Sequence, residues 1–275
     1  MMKKYLVTGA SGFIGCGIVN CLLESGHAVV ALDNNFRGNT ARLAKSINKK
    51  EKIEFIQADV RDTKAVKDAA KGVDGIIHLA YVNGTEFFYK MPDLVLEVGV
   101  GGMLSVLEAC KENAVKELVL ASSSEVYQTP TQIPTDETVP LSIPDVLNPR
   151  YSYGGGKIIS ELMALHIAPK FVDKVTIFRP HNVYGPNMGR EHVVPQFILR
   201  AVDQIKKYPE GKVPFKIQGD GKQTRSFIYI DDFIKGFKHV LDYGEHLNIY
   251  HIGTEDEVTI LDVFKTFYKI VDVNK

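Results

Sequence analysis

Residues 5–15 have the sequence YLVTGASGFIG, in which a short apolar run leads into a glycine-rich turn and then into a helical pattern. A turn that approaches phosphate groups closely needs positions without a Cβ atom, and the free N–H groups of a helix start bind anions. Gly9, Gly12 and Gly15 supply such positions with GxxGxxG spacing. Glycines also occur in ordinary turns, so the prediction of a dinucleotide site depends on what surrounds them.

An acidic residue follows at the end of the second predicted strand. Asp33 lies about 20 residues beyond the glycines, where a carboxylate accepts hydrogen bonds from the adenosine ribose of a dinucleotide. A carboxylate here repels a 2′-phosphate, so the sequence favours NAD over NADP, although Arg37 nearby would favour the phosphate. The alternative for Asp33 is an ordinary turn residue at a strand end.

Apolar runs alternate with patterns of helical period along the first 180 residues. The runs lie at 5–8, 28–32, 53–57, 75–79, 117–121 and 175–179. The clearest helical patterns lie at 13–24, 94–111 and 152–166. Buried strands separated by helices predict an α/β fold with a Rossmann-type, doubly wound parallel sheet.

The composition of the chain changes at two places. Five prolines lie between residues 129 and 150, and they predict a long structured loop of the kind that forms functional lids or walls. After residue 180 the alternation of strands and helices becomes irregular. We therefore predict a dinucleotide-binding domain at 1–179, to which segments near 225–250 return, and a smaller C-terminal substrate-binding lobe that makes up most of 180–275.

The charge balance excludes several classes of partner. The 275 residues include 33 Lys and Arg and 33 Asp and Glu, so the chain lacks a basic field that binds nucleic acid or anionic lipid. Cys16, Cys21 and Cys110 have no CxxC spacing, which favours buried thiols in a reducing compartment. No segment has the pattern of a signal peptide or membrane span. We expect a cytoplasmic protein without a metal site.

Tyr153 and Lys157 are four residues apart and therefore lie on one face of the helix predicted at 152–166. Tyrosine has a pKa of about 10, and a cation one turn away would lower it toward neutrality and make the phenolate a usable base. A serine at the end of the strand at 117–121 can hydrogen-bond a substrate hydroxyl. In isolation, the same residues also fit a solvated helix face and an ordinary strand end.

Six motifs resemble, in this order, those of extended short-chain dehydrogenases/reductases. They are TGASGFIG, ADV at 58–60, HLA at 78–80, SSSEVY at 122–127, YxxxK and FRPHNVYGP at 178–186. That superfamily includes NAD-dependent nucleotide-sugar epimerases, dehydratases and decarboxylases. The resemblance implies NAD as the cofactor, a nucleotide sugar as the substrate, and a homodimer formed through the helices at 94–111 and 152–166. Because relatives usually continue further, it also implies a lobe that is shortened at its C-terminus.

The resemblance implies a catalytic trio of Ser123, Tyr153 and Lys157. The expected cofactor contacts lie in the glycine turn and at the strand ends, and they are Gly9, Ser11, Gly12, Phe13, Ile14, Gly15, Asp33, Asn34, Asn35, Asp59, Val60, Leu79, Ala80, Tyr153, Lys157 and Pro180. Asp59 is expected to hold the adenine amine. The expected substrate contacts are Ser124, Asn182 and Arg225, of which the last two resemble ligands of the diphosphate.

Three positions depart from the family pattern. Gly99 stands where relatives commonly have asparagine, Gln128 where they have glycine, and Gly156 where they have serine. None of these differences removes a catalytic group, but all three bear on local geometry and substrate choice.

Glu125 distinguishes the possible reactions, whose shared first step in the family is oxidation of a sugar hydroxyl to a transient 4-keto intermediate. Epimerases generally have small neutral residues at this place, whereas dehydratases and decarboxylases resemble the Ser-Ser-Glu pattern found here. A carboxylate can remove the proton beside the ketone, so we predict catalytic Glu125 and a sugar-nucleotide 4,6-dehydratase. The alternatives are a C4 epimerase, a UDP-glucuronate-type decarboxylase, a Glu125 that only hydrogen-bonds the 129–150 loop, and a non-catalytic protein that binds NAD or nucleotide sugar.

Overall fold

The computed structural model describes residues 1–44, 52–208, 214–217 and 219–271, and its centre is a seven-stranded parallel sheet. The strands of this sheet are β1 (Lys4–Thr8), β2 (Ala28–Asp33), β3 (Ile53–Gln57), β4 (Gly75–His78), β5 (Glu117–Ala121), β6 (Lys174–Pro180) and β10 (Asn248–Ile252). Their order is β10-β6-β5-β4-β1-β2-β3, and every neighbouring pair is parallel. The predicted fold class is confirmed, and each predicted strand agrees to within one residue at either end.

Helices cover both faces of the sheet. The helices are α1 (Phe13–Glu24), α2 (Thr63–Ala69), α3 (Thr85–Lys90), α4 (Pro92–Leu96), α5 (Gly102–Glu112), α6 (Ser152–His166), α7 (Val193–Lys207), α8 (Ile230–Tyr243) and α9 (Ile260–Val271). One face packs against α2, α4, α5 and α6, and the other against α1 and α8. Successive strand residues alternate between these layers, so Leu6 belongs to the first and Val7 to the second. Within the described ranges, no helix is both long enough and apolar enough to cross a membrane.

After β6 the chain leaves the main sheet and returns to it. Two small sheets pair β7 (Asn182–Tyr184) with β9 (Phe227–Tyr229) and β8 (Thr224–Arg225) with β11 (Val258–Thr259). Through α8, Phe233 and Phe237 then pack on Phe178 of β6, and β10 pairs with β6. Outside these elements, α7 and α9 pack on each other through Phe197 and Phe264, whose ring centroids are 5.7 Å apart.

The helix predicted at 94–111 is interrupted. A π-helical turn spans Glu97–Gly101 between α4 and α5. Glycine has little intrinsic preference for the α-helix, and residues 99, 101 and 102 are all glycine. The apolar period continues through this segment, which is why the sequence pattern predicted one helix. Single π-turns of this kind occur frequently at functional sites.

A buried ion pair joins α6 to the end of β6. Arg179 donates to Glu161 from Nε to Oε1 at 2.9 Å and from Nη2 to Oε2 at 2.7 Å, and neither side chain is more than 3% exposed. Arg179 also donates to the hydroxyl of Tyr127, which lies 2.7 Å from His251 Nε2. These contacts fix α6 relative to the main sheet.

The substitution Arg179→Met is expected to lower the free energy of unfolding by about 3–5 kcal/mol, because it leaves the Glu161 carboxylate buried without a partner. Chemical denaturation measures this change. As a control, Lys116→Ala removes an exposed ion pair with Asp173 (3.5 Å) and is expected to cost less than about 1 kcal/mol. Equal losses in the two variants would show that the buried pair does not stabilise the fold.

Candidate active site

A groove of about 900 Å³ lies at the carboxyl edge of the main sheet. Its lining includes residues that follow β1, β2, β3, β4, β5 and β6, together with residues of the small sheets and α7. Along the chain, β2 and β3 extend the sheet on one side of β1, and β4 and the strands after it extend the sheet on the other side. Open α/β sheets bind their ligands at the point where the strand order reverses in this way. The catalytic and binding residues predicted from the sequence can therefore be compared with the lining of this groove.

The glycine turn forms one end of the groove. Gly9 has a φ of +71°, and a Cβ atom at Gly15 would lie 2.1 Å from the Gly9 carbonyl oxygen. Only glycine fits this approach. The first turn of α1 has no side-chain cap at Gly12, so its free N–H groups are available to a phosphate. The turn therefore fits the diphosphate of a dinucleotide cofactor.

Asp33 lies at the end of β2 and lines the groove. Its Oδ2 accepts from the Ser11 N–H at 3.0 Å and its Oδ1 from the Asn35 N–H at 2.8 Å, and each oxygen keeps a further lone pair. The Ser11 hydroxyl donates to Asn35 Oδ1 at 2.8 Å. Asn34 lines the groove, but Ser11 and Asn35 do not, because they hydrogen-bond each other and Asp33 instead. The prediction that Ser11 and Asn35 contact the cofactor stays a prediction.

Asp59 lies in the groove within a network of three side chains. Arg61 donates to Asp59 from Nε to Oδ1 at 3.0 Å and from Nη2 to Oδ2 at 2.9 Å, and Asn34 donates to Oδ2 at 3.0 Å. The hydrogen bonds from Arg61 lower the pKa of Asp59 to about 2. The carboxylate is thus fixed and ionised beside Val60, where it can accept a hydrogen bond from an amine.

Three buried side chains meet where β5 ends and α6 begins. Ser123 is 8% exposed, Tyr153 is 6% exposed and Lys157 is 4% exposed, and all three line the groove. Ser123 lies near enough to Tyr153 to lower the pKa of the phenol, and its Oγ accepts from the Glu125 N–H at 3.2 Å. Lys157 Nζ donates to the Ala121 carbonyl at 2.6 Å. A hydroxyl placed against Ser123 and Tyr153 would thus have a donor and a potential base within reach.

Burial sets the ionisation of Tyr153 and Lys157. It raises the pKa of Tyr153 to about 12, and the nearby Ser123 hydroxyl and the charge of Arg37 lower it only in part. Burial lowers the pKa of Lys157 to about 7, although the negative charge of Glu161 acts to raise it. The expectation that Lys157 moves the pKa of Tyr153 toward neutrality is wrong for this structure. The largest cause is the burial of Tyr153, and Lys157 Nζ donates to the Ala121 carbonyl and not to the tyrosine.

The remaining predicted contacts also line the groove. Glu125 is at the rim, with its Oε2 3.5 Å from Nη2 of Arg150 at the end of the 129–150 loop. In the small sheets, Asn182 donates to the Ser226 carbonyl at 2.9 Å, and Arg225 donates to the Thr224 carbonyl at 2.7 Å. The other predicted contacts that line the groove are Gly12, Phe13, Ile14, Val60, Leu79, Ala80, Ser124 and Pro180.

Several groove residues were not predicted as contacts. Arg61 and Tyr81 directly follow predicted segments, so extending those segments would have included them. Arg37 forms an ion pair with Glu191 and donates to the Asn83 carbonyl, which no local sequence pattern reveals. In the ranges that the structure describes, no group of three or more His, Cys, Asp or Glu side chains could hold a metal ion.

Comparison with known proteins places these features in a family. The model of the NAD dependent epimerase/dehydratase family matches residues 5–253. The chain is 31% identical to UDP-glucuronic acid decarboxylase 4 of Arabidopsis thaliana, with 98% of this chain and 58% of that protein covered. It is 28% identical to dTDP-D-glucose 4,6-dehydratase of Dictyostelium discoideum, with 99% and 62% covered. The chain thus spans less than two thirds of the length of either relative.

A solved structure with the same architecture is DesIV, a dTDP-glucose 4,6-dehydratase from Streptomyces venezuelae that was crystallised with NAD and TYD. The TM-score is 0.84 at 28% identity, and the match covers 98% of this chain and 82% of that one. NAD is the cofactor of the family, and the glycine turn and Asp33 in this groove fit it.

The substitution Gly15→Ala is expected to weaken NAD binding by about tenfold or more, because the new Cβ atom would displace the Gly9 carbonyl and widen the turn. Isothermal titration calorimetry measures the affinity. In the control Gly101→Ala the Cβ atom meets nothing within 4 Å, so the affinity should not change. Wild-type affinity in Gly15→Ala would mean that the phosphates bind elsewhere.

Proposed function

This chain belongs to the NAD-dependent epimerase/dehydratase family, and we propose that it converts a nucleotide-activated sugar through a transient 4-keto intermediate. The observation that supports this best is the buried group of Ser123, Tyr153 and Lys157 next to the glycine turn in one groove. A protein that only binds nucleotides gains nothing from this group. We assign the reaction as 4,6-dehydration of the sugar.

Tyr153 is the proposed base for the sugar hydroxyl. Its Oη receives the hydroxyl proton, while Ser123 Oγ donates a hydrogen bond to the sugar oxygen. Bound NAD supplies reversible two-electron oxidation. Since Ser123 and Tyr153 are less than a tenth exposed, the substrate would displace the remaining water from the position where the proton moves.

Tyr153 and Lys157 are proposed to share protons, with Lys157 Nζ 5.8 Å from the centre of the Tyr153 ring. With a pKa of about 7 for Lys157 and about 12 for Tyr153, the pair holds a single proton between these pH values. When this proton is on Lys157, Tyr153 is a phenolate and serves as the base. Below the pKa of Lys157 the pair holds two protons and no base is present, so activity falls as the pH falls through about 7.

Glu125 is the proposed acid or base for the step that follows oxidation. It lies two residues beyond Ser123 at the rim of the groove, and its 3.5 Å ion pair with Arg150 is long enough to yield to a substrate. The same ion pair supports the alternative that Glu125 holds the end of the 129–150 loop. In that case the reaction would be a C4 epimerisation, which needs no additional acid or base.

Asn182 and Arg225 are the proposed ligands of the substrate diphosphate. Both line the groove and belong to the small sheets. Arg225 uses Nη1 for the Thr224 carbonyl, and a guanidinium has further N–H groups for phosphate oxygens. A neutral alcohol without a diphosphate would leave these groups unused.

Incubation of the NAD-loaded protein with a panel of sugar nucleotides, followed by mass spectrometry, identifies the reaction. We expect a product that has lost one water. The variant Glu125→Gln should slow this loss about a hundredfold, the size of a general base contribution. The control Glu112→Gln changes a carboxylate on α5 that pairs with Lys67 outside the groove, and it should not affect the rate.

The other outcomes correct the proposal in defined ways. Loss of carbon dioxide would identify a decarboxylase, and an unchanged mass with a new stereoisomer would identify an epimerase and remove the role of Glu125. No turnover of any donor by a protein that binds NAD would favour a non-catalytic binding protein.

A homodimer formed through α5 and α6 is also proposed. Leu104 on α5 and Ile159 and Leu162 on α6 are 51%, 41% and 51% exposed, so both helices present large apolar side chains to solvent. A second copy of the chain would cover them.

Light scattering coupled to size-exclusion chromatography tests this interface. The double variant Leu104→Glu and Leu162→Glu should be a monomer, because it places charges in an apolar contact. Val146→Glu, at an 84% exposed position in the 129–150 loop, should stay a dimer. A monomeric wild-type protein would contradict the assignment.

The cytoplasm is the proposed compartment. Cys16, Cys21 and Cys110 are free thiols, and the last two are buried. Free thiols persist in reducing compartments, where disulfides are rare.

A further inference from the structure

Tyr81 lies directly after Leu79 and Ala80 at the end of β4 and lines the groove. Its hydroxyl is buried and has no hydrogen-bond partner among the described residues. A buried hydroxyl without a partner lowers stability, so its position needs another explanation. The roles proposed above for Ser123, Tyr153 and Lys157 do not use Tyr81.

Two glycines leave the space that Tyr81 occupies. A Cβ atom at Gly99 would lie 2.1 Å from the Tyr81 hydroxyl oxygen and 2.3 Å from its Cζ, and one at Gly156 would lie 2.1 Å from the same oxygen. Gly99 belongs to the π-helical turn and Gly156 to α6, so residues from two helices leave room for one side chain. These are two of the three positions at which the sequence departs from the family pattern.

The face of the Tyr81 ring contacts the ammonium group of Lys157. The distance from Lys157 Nζ to the ring centroid is 4.2 Å, against 5.8 Å to the ring of Tyr153. The Tyr81 ring meets the edge of Tyr153 at a centroid distance of 5.0 Å, and Phe88 stacks on Tyr153 at 5.1 Å. Tyr81 therefore touches both members of the proposed proton-sharing pair.

Few other groups can stabilise the charge of Lys157. On its own helix are Tyr153 and Glu161, and the carboxylate of Glu161 is bound by Arg179. On β4 is His78, which burial keeps neutral by lowering its pKa to about 3. Among the described residues Lys157 forms no ion pair, and its one hydrogen bond goes to the Ala121 carbonyl. A cation–π contact favours the charged amine in a site that otherwise disfavours it.

We propose that Tyr81 is a positioning residue, whose ring face holds the ammonium group of Lys157 beside Tyr153 in a notch that exists because residues 99 and 156 are glycines. This inference rests on the proposed function, since it gives Lys157 its role in sharing a proton with Tyr153. It assigns the effect to the ring of Tyr81 and not to the hydroxyl.

The titration of Lys157 tests the proposal without a substrate. In NAD-saturated protein with isotope-labelled lysine, the Lys157 resonance is assigned by its loss in Lys157→Met and followed by NMR against pH. Tyr81→Leu should lower its midpoint by about one pH unit, the size of a desolvated cation–π contact, whereas Tyr81→Phe should keep the wild-type midpoint. Equal shifts in both variants, or none in Tyr81→Leu, would overturn the proposal.

Paired substitutions test whether the two glycines leave the space for the Tyr81 ring. Gly156→Ala should displace the ring and lower the midpoint, and adding Tyr81→Phe should restore it, because the nearest remaining ring atom is Cζ at 3.4 Å. Gly99→Ala should lower the midpoint as well, but Tyr81→Phe should not restore it, since Cζ stays at 2.3 Å. Rescue of both glycine variants, or of neither, would contradict the geometry.

Activity gives the second readout. Where a substrate is found, Tyr81→Leu should lower kcat about tenfold. It should also move the acid limb of the pH profile to lower pH, because the Lys157 amine then loses its proton at a lower pH. A fall in kcat with an unmoved limb would indicate a structural effect only and would overturn the positioning role. If no substrate is found, the proposed function fails, while the NMR titration still decides the contact between Tyr81 and Lys157.

Discussion

Parallel pairing of β1 with both β2 and β4 is the constraint on which the site depends. It brings the ends of these strands to one edge, where the Gly9–Gly15 turn, Asp33 and Ala80 approach each other. A Cβ atom at Gly9 would lie 2.8 Å from the Ala80 N–H nitrogen, so the turn and the end of β4 pack without room for a side chain. Because the strand order reverses at this point, the packing leaves a groove above it.

Burial governs the chemistry of that groove. The same apolar layer that holds α6 on the sheet removes Tyr153 and Lys157 from water, and this raises one pKa and lowers the other. A lysine that gives up its proton near neutral pH is able to exchange it with a neighbouring tyrosine. Burial therefore moves the two pKa values in opposite directions, and this is the basis of the proposed proton sharing between Tyr153 and Lys157.

Much of the fold and site followed from local sequence patterns. Apolar runs marked the strands, and the glycine spacing and the YxxxK pair marked the groove, because each depends on residues near in sequence. The choice of Ser123 came from the resemblance to the family. Failures came from contacts between distant residues. The apolar pattern at 94–111 did not reveal the π-turn in which Gly99 leaves room for Tyr81. The glycine motif and the position of Asp33 did not show that Ser11 and Asn35 hydrogen-bond each other. The pKa of Tyr153 depends on burial by Phe88 and Tyr81, which no spacing records.

The role of Tyr153 as the base for sugar oxidation is tested most directly in a single turnover. NAD-loaded protein is mixed rapidly with a nucleotide sugar that it binds, and the near-ultraviolet absorbance of reduced nicotinamide is recorded. Wild-type protein should show a transient rise that decays as the product forms, and Tyr153→Phe should show none while binding the same sugar nucleotide. A rise of equal rate in Tyr153→Phe, or product formation by the wild type without any rise, would contradict oxidation through Tyr153.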